Sequence, residues 1–197
     1  KFGCFERRTR AGARNIVDCR WVIKWKKVNG QKVIKARVTM RGFTDKQYDL
    51  ETFAGTASRW GQRLLASVTA RAGKTWLQWS FDVSQAFAKG MTFEEIAKYT
   101  GERIRKVEVE IKAEDAELIR KQPGFEDFDP RVEVLSMIKA VYGLKDAPRA
   151  WRMKLHNVLV NYGLRPLFSD AQLYALFDSK THELVLLITV SYTHLTL

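Results

Sequence analysis

The chain has 197 residues, of which 46% are hydrophobic, so it can bury the core of one domain or two small lobes and is not a disordered tail. Its 34 lysines and arginines outnumber 22 acidic residues, and residues 1–50 alone hold 14 basic and 4 acidic side chains. The excess of positive charge favours a polyanionic partner, either nucleic acid or an acidic membrane surface. Most of this excess lies in residues 1–50, and the rest of the chain is nearly neutral.

Membrane-spanning, secreted and zinc-binding classes find no support in the sequence. No apolar run reaches the length of a membrane span, and the basic start lacks the apolar core of a secretion signal. Cys4 and Cys19 have none of the spacing of a metal knuckle. We therefore expect an unexported soluble protein with reduced thiols and no membrane partner.

Residues 21–39 predict a β-hairpin, because Asn29-Gly30 between two strand-like runs is typical of a two-residue type I′ turn. The turn fixes the register of the two strands. One face of the hairpin is then apolar. Its opposed pairs are Trp25 with Ile34, Ile23 with Ala36, and Trp21 with Val38.

The other face of this hairpin is basic. Lys24 falls opposite Lys35, with Lys26 and Arg37 nearby. Like charges directly opposed on a sheet are unfavourable unless an anion lies over them or the side chains splay into solvent. A phosphate backbone or a nucleoside triphosphate would relieve the repulsion.

Between the hairpin and residue 90 the sequence predicts a helix, a strand and a second, short helix. Ser58 begins a helix that continues to about Ala72 and ends at Gly73, with no chemistry of its own. Residues 77–83 alternate large apolar with polar side chains, which predicts a strand that places Asp82 on the polar face. A solvated or helix-capping aspartate is the alternative. A short helix closed by Gly90 follows.

Residues 94–111 have the pattern of a helix-turn-helix, with Gly101 at the turn and Ile104 and Val107 as core positions. The alternation of valine, isoleucine and glutamate over residues 107–111 instead favours a strand. If residues 107–111 instead formed a recognition helix, their glutamates would face the DNA phosphates, which is unfavourable. The stretch therefore supplies a rival hypothesis, a DNA-binding module.

The last third of the chain predicts a helix and two strands. Asp146 and Pro148 open a helix that stops at Gly163, on which His156 is a surface or packing residue rather than a ligand. Strands follow at about 172–177 and 183–190. The order of elements predicts an α+β fold.

Two motifs in this order, LQWSFDVSQAF at 77–87 and AVYGLKDAPRAW at 140–151, resemble the reverse transcriptase of copia-type LTR retrotransposons. Further blocks extend the resemblance over nearly the whole chain. They are residues 17–22, 35–43, 51–54, 122–125 and 169–174. The resemblance implies reverse-transcriptase fingers and a partial palm: an antiparallel β-hairpin in the fingers, and helices packed on a palm sheet.

By this resemblance Asp82 would be the catalytic carboxylate and a Mg²⁺ ligand, with the carbonyl of Val83 beside it. Phe87 would be a steric gate that occupies the space of a ribose 2′-hydroxyl and so favours deoxynucleotides. Template-directed nucleotide addition is phosphoryl transfer, in which two Mg²⁺ ions held by clustered aspartates stabilise the in-line attack.

The resemblance also implies contacts with substrates. Lys35, Arg37, Tyr142, Gly143 and Lys145 would contact the incoming deoxynucleoside triphosphate. Template and primer, RNA or DNA, would be bound by a second set of residues. That set is Lys24, Lys26, Arg41 and Arg149.

The implied domains are a fingers-like region at 1–73 and a partial palm at 74–190, with an insertion at about 91–120 whose role the family does not supply. Residues 191–197 form a tail unlike the family. The parent polyprotein, to which the chain would be joined, would act in a cytoplasmic particle or the nucleus.

Two departures from the family pattern bear on function. Asp146 stands where the family usually has Gln, which puts a local contact in doubt. After Val190 the family has two consecutive aspartates, whereas this sequence has no Asp-Asp pair anywhere. We therefore expect a polymerase fragment that is inactive alone, with a non-catalytic nucleic-acid-binding remnant as the alternative.

Overall fold

The computed structural model describes residues 2–190, apart from the side chain of Lys74. The chain divides into two compact units of mixed α+β structure, one of Lys1–Thr52 and Phe87–Trp151, the other of Phe53–Ala86 and Arg152–Leu197. The predicted tail, residues 191–197, lies outside the described residues. Within the part described, no helix combines the length and apolar character needed to cross a membrane.

A five-stranded sheet forms the first unit. Its strands are β1 (Phe5–Thr9), β2 (Ile16–Val28), β3 (Gln31–Met40), β4 (Glu108–Glu110) and β5 (Glu133–Met137), in the spatial order β1-β5-β4-β2-β3. Neighbouring strands are antiparallel except β2 and β4, which run parallel. The core lies on this sheet, where Val17, Val109 and Val134 are fully buried.

The predicted hairpin is confirmed. Asn29 and Gly30 have φ angles of +49° and +83°, the left-handed conformations that a type I′ turn requires. Trp25 faces Ile34 and Lys24 faces Lys35, as the turn predicts, and the other expected pairs also form. The apolar face, however, is exposed rather than packed in the core.

The segment at about 91–120, which we predicted to be an insertion, contributes one strand to this sheet. It contains α2 (Phe93–Thr100), the strand β4, and α3 (Ala116–Arg120). Thr92 and Glu95 form a reciprocal capping box that begins α2. The rival helix-turn-helix hypothesis is wrong, because residues 101–107 have no regular secondary structure and 108–110 pair with β2 and β5. The alternation of apolar and acidic residues over 107–111 correctly indicated a strand, and the helical spacing did not indicate a helix there.

The second unit pairs α1 with a three-stranded antiparallel sheet. The helix α1 spans Arg59–Ala72, and the Ser58 hydroxyl accepts a hydrogen bond from the Gly61 N–H, which confirms the predicted cap. The sheet has the order β6-β7-β8, with β6 at Arg165–Leu167, β7 at Asp170–Phe177 and β8 at Leu184–Thr189. Leu65 and Val68 of α1 pack against buried residues of β7 and β8.

The helix α4 spans Ala147–Asn161, and only its later turns belong to the second unit. Leu155 and Leu159 pack there against a buried cluster that contains Tyr174. The Nδ1 atom of His156 lies 2.9 Å from the Tyr174 hydroxyl, so His156 is a packing residue, as predicted. Burial lowers the pKa of His156, and the nearby Arg152 lowers it further.

The strand predicted at residues 77–83 is not formed. These residues have no regular secondary structure, and Leu77, Trp79 and Phe81 are 75%, 71% and 85% exposed. A strand is stable only when a neighbour accepts its backbone hydrogen bonds. None of the strands in the described residues pairs with this segment. The short helix before Gly90 is present as a 3₁₀ turn at Phe87–Lys89.

Candidate functional site

Three predicted nucleotide-binding residues meet in the first unit. The guanidinium carbon of Arg37 lies 5.2 Å from the centroid of the Tyr142 ring, a cation–π contact. The Phe87 ring meets the same tyrosine edge to face, with the ring centroids 5.0 Å apart. One cation and two aromatic rings are therefore in contact near the end of β3. We call Arg37, Phe87 and Tyr142 the Tyr142 cluster.

Two glycines fix the loop that carries Tyr142. The Met40 N–H donates to the Tyr142 carbonyl at 2.8 Å, and the Gly42 N–H donates to the Gly143 carbonyl at 3.2 Å. A Cβ atom on Gly143 would lie 1.9 Å from the Met40 carbonyl oxygen, and one on Gly42 would lie 2.2 Å from the Gly143 oxygen. Only glycine therefore permits this approach, which holds Tyr142 beside Arg37.

The basic face of the hairpin continues from this cluster. Arg37 faces Val22 across the ladder, and Lys24 faces Lys35. Lys24, Lys26 and Lys35 are exposed. Residues 19–40 contain seven basic residues and no acidic residue. These residues, here called the arm, therefore form a strongly positive surface that suits phosphate groups.

Arg41 and Lys145 are two further predicted binding residues, and their surroundings differ. The Arg41 guanidinium forms an ion pair with Asp18 at 2.5 Å and lies 4.8 Å from the centroid of the Phe43 ring. Lys145 is exposed. Their predicted roles in binding template and nucleotide stay predictions.

Arg149 is buried in a bidentate ion pair. Its Nη1 and Nη2 atoms donate to the two carboxylate oxygens of Glu102 at 2.9 and 2.5 Å. This hydrogen bonding raises the pKa of Arg149 and lowers that of Glu102. The prediction that Arg149 binds nucleic acid is untested, and such binding would require the pair with Glu102 to break.

Asp146 is buried, and Arg105 from the insertion lies between it and Asp45. Arg105 Nη2 is 2.6 Å from Asp45 Oδ2, and Arg105 Nε is 3.2 Å from Asp146 Oδ2. Burial raises the pKa of Asp146 although Arg105 opposes the effect. Burial also acts to raise the pKa of Asp45, but hydrogen bonds from Asn15 and Gln47 and the charge of Arg105 lower it overall.

Sequence reasoning missed Arg105, because it lies in an insertion with no assigned role. One signal pointed to it: an aspartate where the family usually has a neutral glutamine needs a cation if it is buried. Arg105 and Asp146 also line a cavity of about 470 Å³, together with Glu102, Arg149 and the loop at 47–51. The charges in its wall have both signs, so the wall favours no single class of ligand.

The candidate catalytic residue Asp82 lies in the other unit. Asp82 is exposed, and Val83 beside it is 38% exposed, in the segment without regular structure. Magnesium requires several hard oxygen ligands near octahedral geometry. No group of three or more metal-ligating side chains occurs in the described residues.

The chain is similar to known proteins over most of its length. A family model described as "Reverse transcriptase (RNA-dependent DNA polymerase)" matches residues 9–195. The retrovirus-related Pol polyproteins from transposons RE1 and RE2 of Arabidopsis thaliana are each 29% identical to it, over 84% and 82% of the chain. That from transposon TNT 1-94 of Nicotiana tabacum is 29% identical over 88%.

The matched region is a small part of each relative. It covers 10% of the RE1 and RE2 polyproteins and 12% of the TNT 1-94 polyprotein, so the chain spans about a tenth of their length. No solved structure matches the chain.

Proposed function

The chain belongs to the reverse transcriptase family of copia-type retrotransposons, and from this premise we propose that it is the substrate-holding portion of an RNA-directed DNA polymerase. It would bind template and primer together with the incoming deoxynucleoside triphosphate. We propose a fingers-like region at 1–73, a partial palm at 74–190, and linkage to the remainder of a Pol polyprotein. The polyprotein would act in a cytoplasmic particle or the nucleus.

The Tyr142 cluster carries the nucleotide-binding part of the proposal. Arg37 and the neighbouring Lys35 would neutralise the triphosphate, because a polyanion stabilises cations that otherwise repel one another. Phe87 would lie against the sugar and exclude a 2′-hydroxyl. The Arg37–Tyr142 and Tyr142–Phe87 contacts support this role, since they bring a phosphate-binding cation and the gate ring to one loop. Gly143 and Lys145 belong to that loop.

Template and primer would lie along the basic hairpin. Lys24 and Lys26 would contact phosphates, with Arg41 at the base of the arm and Arg149 after release from Glu102. Such contacts position the nucleic acid but read no sequence. Binding should therefore be insensitive to sequence.

Catalysis would need more than these residues provide. Asp82 and the Val83 carbonyl would supply the first ligands of the divalent metal that polymerases of this family use. The sequence contains no Asp-Asp pair. We therefore propose that the 197 residues alone bind substrates but do not extend a primer.

A second candidate is a nucleic-acid-binding protein without catalysis. It is favoured by the charge of residues 1–50, which hold 14 basic and 4 acidic side chains. Nucleotide selectivity separates the two candidates. A polymerase portion distinguishes deoxynucleotides from ribonucleotides, whereas a simple polyanion binder does not.

Photo-crosslinking of labelled nucleoside triphosphates to the chain with a primer–template tests the proposal. We expect Arg37→Ala to reduce labelling about tenfold, the loss of one charge-assisted hydrogen bond. Phe87→Ala should raise ribonucleotide labelling relative to deoxynucleotide labelling. Phe168→Ala, at a fully exposed ring, is the control and should change neither. Equal labelling by both nucleotides in the unmodified chain would contradict the polymerase proposal.

A further inference from the structure

The apolar face of the β2–β3 hairpin is exposed. Trp25 exposes 70% of its surface, Ile23 65% and Ile34 60%. Trp21, at the base, is 41% exposed, and its indole N–H donates to the Asp115 carboxylate at 2.9 Å. These four apolar side chains project from one side of the ladder and are here called the tryptophan face.

The charge around the tryptophan face restricts what can cover it. Lys27 faces Lys32 on the same side of the ladder, next to the apolar residues. The arm from 19 to 40 has seven basic and no acidic residues. A second copy of the chain docked face to face would bring two such arms together, which like-charge repulsion disfavours. The occupant should therefore be anionic and should also carry flat apolar surfaces.

Single-stranded nucleic acid combines these two properties. Its phosphates are anionic, and its unpaired bases have exposed π faces that stack on aromatic side chains whatever their sequence. In a duplex the bases are stacked on each other, so their π faces are not available to an aromatic side chain of the protein. An exposed tryptophan beside lysines therefore favours single strands over duplexes.

We propose that the tryptophan face binds single-stranded nucleic acid, with Trp25 as the platform on which a base stacks. The proposal rests on the proposed function in that both require a nucleic-acid partner. It adds a second contact surface on the hairpin. The basic face would hold phosphates and the nucleotide, while the opposite face would hold unpaired bases of the template.

The test compares Trp25→Ala with the unmodified chain by fluorescence anisotropy, using a labelled oligo-dT and a labelled duplex of equal length. We expect affinity for oligo-dT to fall about 5- to 150-fold, the range for loss of one stacked base. Affinity for the duplex should change less than about twofold. Trp25→Phe should restore most of the single-strand binding, because phenylalanine also stacks.

Two further readouts separate stacking from charge and from general damage. The salt dependence of oligo-dT binding should keep its slope in Trp25→Ala, because no phosphate contact is removed. Trp60→Ala is the matched control, since Trp60 is 76% exposed on α1 and lies outside the hairpin. It should bind like the unmodified chain.

The inference is overturned if Trp25→Ala binds oligo-dT as well as the unmodified chain does, or loses single-strand and duplex binding equally. It is also overturned if the variant loses self-association and keeps its affinity, because a second copy would then cover the face. Binding of the unmodified chain to neither probe would overturn the inference and the nucleic-acid-binding proposal together. Duplex binding that persists while Trp25→Ala is without effect would overturn the inference alone.

Discussion

At the residue scale, Asp146 shows how a departure from a family pattern is compensated. A buried carboxylate is costly unless a cation and hydrogen bonds accompany it. Here the cation is Arg105, which also pairs with Asp45. The sequence predicted that a contact at Asp146 differs, but it could not name the partner, because only the folded chain brings these residues together.

Replacement of Arg105 by methionine should destabilise the protein by about 3–5 kcal/mol, because two buried carboxylates lose their shared cation. Arg103→Met is the matched control, since Arg103 is exposed two residues away. It should change the free energy of unfolding by less than about 0.5 kcal/mol. Urea unfolding followed by circular dichroism measures both, and equal effects would contradict the buried role of Arg105.

The raised pKa of Asp146 predicts a pH dependence of stability. Its usual value in an unfolded chain is about 3.9. The folded state holds the proton more tightly, so the contribution of this carboxyl is most favourable below about pH 4 and is lost as the pH rises through the raised pKa. The free energy of unfolding of the unmodified chain, minus that of Asp146→Asn, should therefore decrease from about pH 4 to pH 7. A difference that rises over this range would refute the assignment.

Gly143 should tolerate no side chain. Alanine there would combine the left-handed φ of +95° with a clash against the Met40 carbonyl. Gly12 has a similar φ of +82° with open space around it, so Gly12→Ala isolates the conformational cost of about 1–2 kcal/mol. We expect Gly143→Ala to cost roughly twice that or more and to abolish nucleotide crosslinking. Thermal unfolding of both variants checks the difference; similar losses would mean that the loop can move.

At the element scale, local signals predicted what local interactions determine. Asn29-Gly30 fixes the hairpin because the turn conformation and the register follow from two residues. The Ser58 cap and the Gly73 stop likewise determine α1. The strand at 77–83 depends on a distant partner strand, so its alternating pattern was insufficient. The alternation over 107–111 did indicate β4, whereas the short strands β1, β5 and β6 were missed for the same reason as the failed strand.

The strand β4 makes the segment at 91–120, the predicted insertion, a structural part of the first unit. Val109 is fully buried between β2 and β5, so Val109→Ala should cost about 2 kcal/mol. Val132→Ala, at a 58% exposed position just before β5, should be nearly neutral. Urea denaturation compares them. A negligible loss for Val109→Ala would mean that the insertion is dispensable to the sheet.

At the scale of the whole molecule, the candidate site joins residues that are far apart in sequence. Arg37, Phe87 and Tyr142 were named separately because of the family resemblance, and spacing alone could not have predicted their contact. The structure brings these three together in one unit, while Asp82 belongs to the other. The excess of positive charge, by contrast, was readable directly from composition.

The most direct test of nucleic-acid binding by the basic hairpin is a salt titration of primer–template affinity. Lys24, Lys35 and Arg37 changed together to Glu are compared with the control changes Lys98, Lys121 and Lys180 to Glu, which alter net charge equally at exposed positions elsewhere.

We expect the logarithm of affinity to fall linearly with the logarithm of salt concentration for the unmodified chain and the control. The hairpin variant should bind more weakly and with a shallower slope, whatever the sequence of the probe. Affinity independent of salt, or the same loss in the control and the hairpin variant, would contradict a phosphate-binding role for this face.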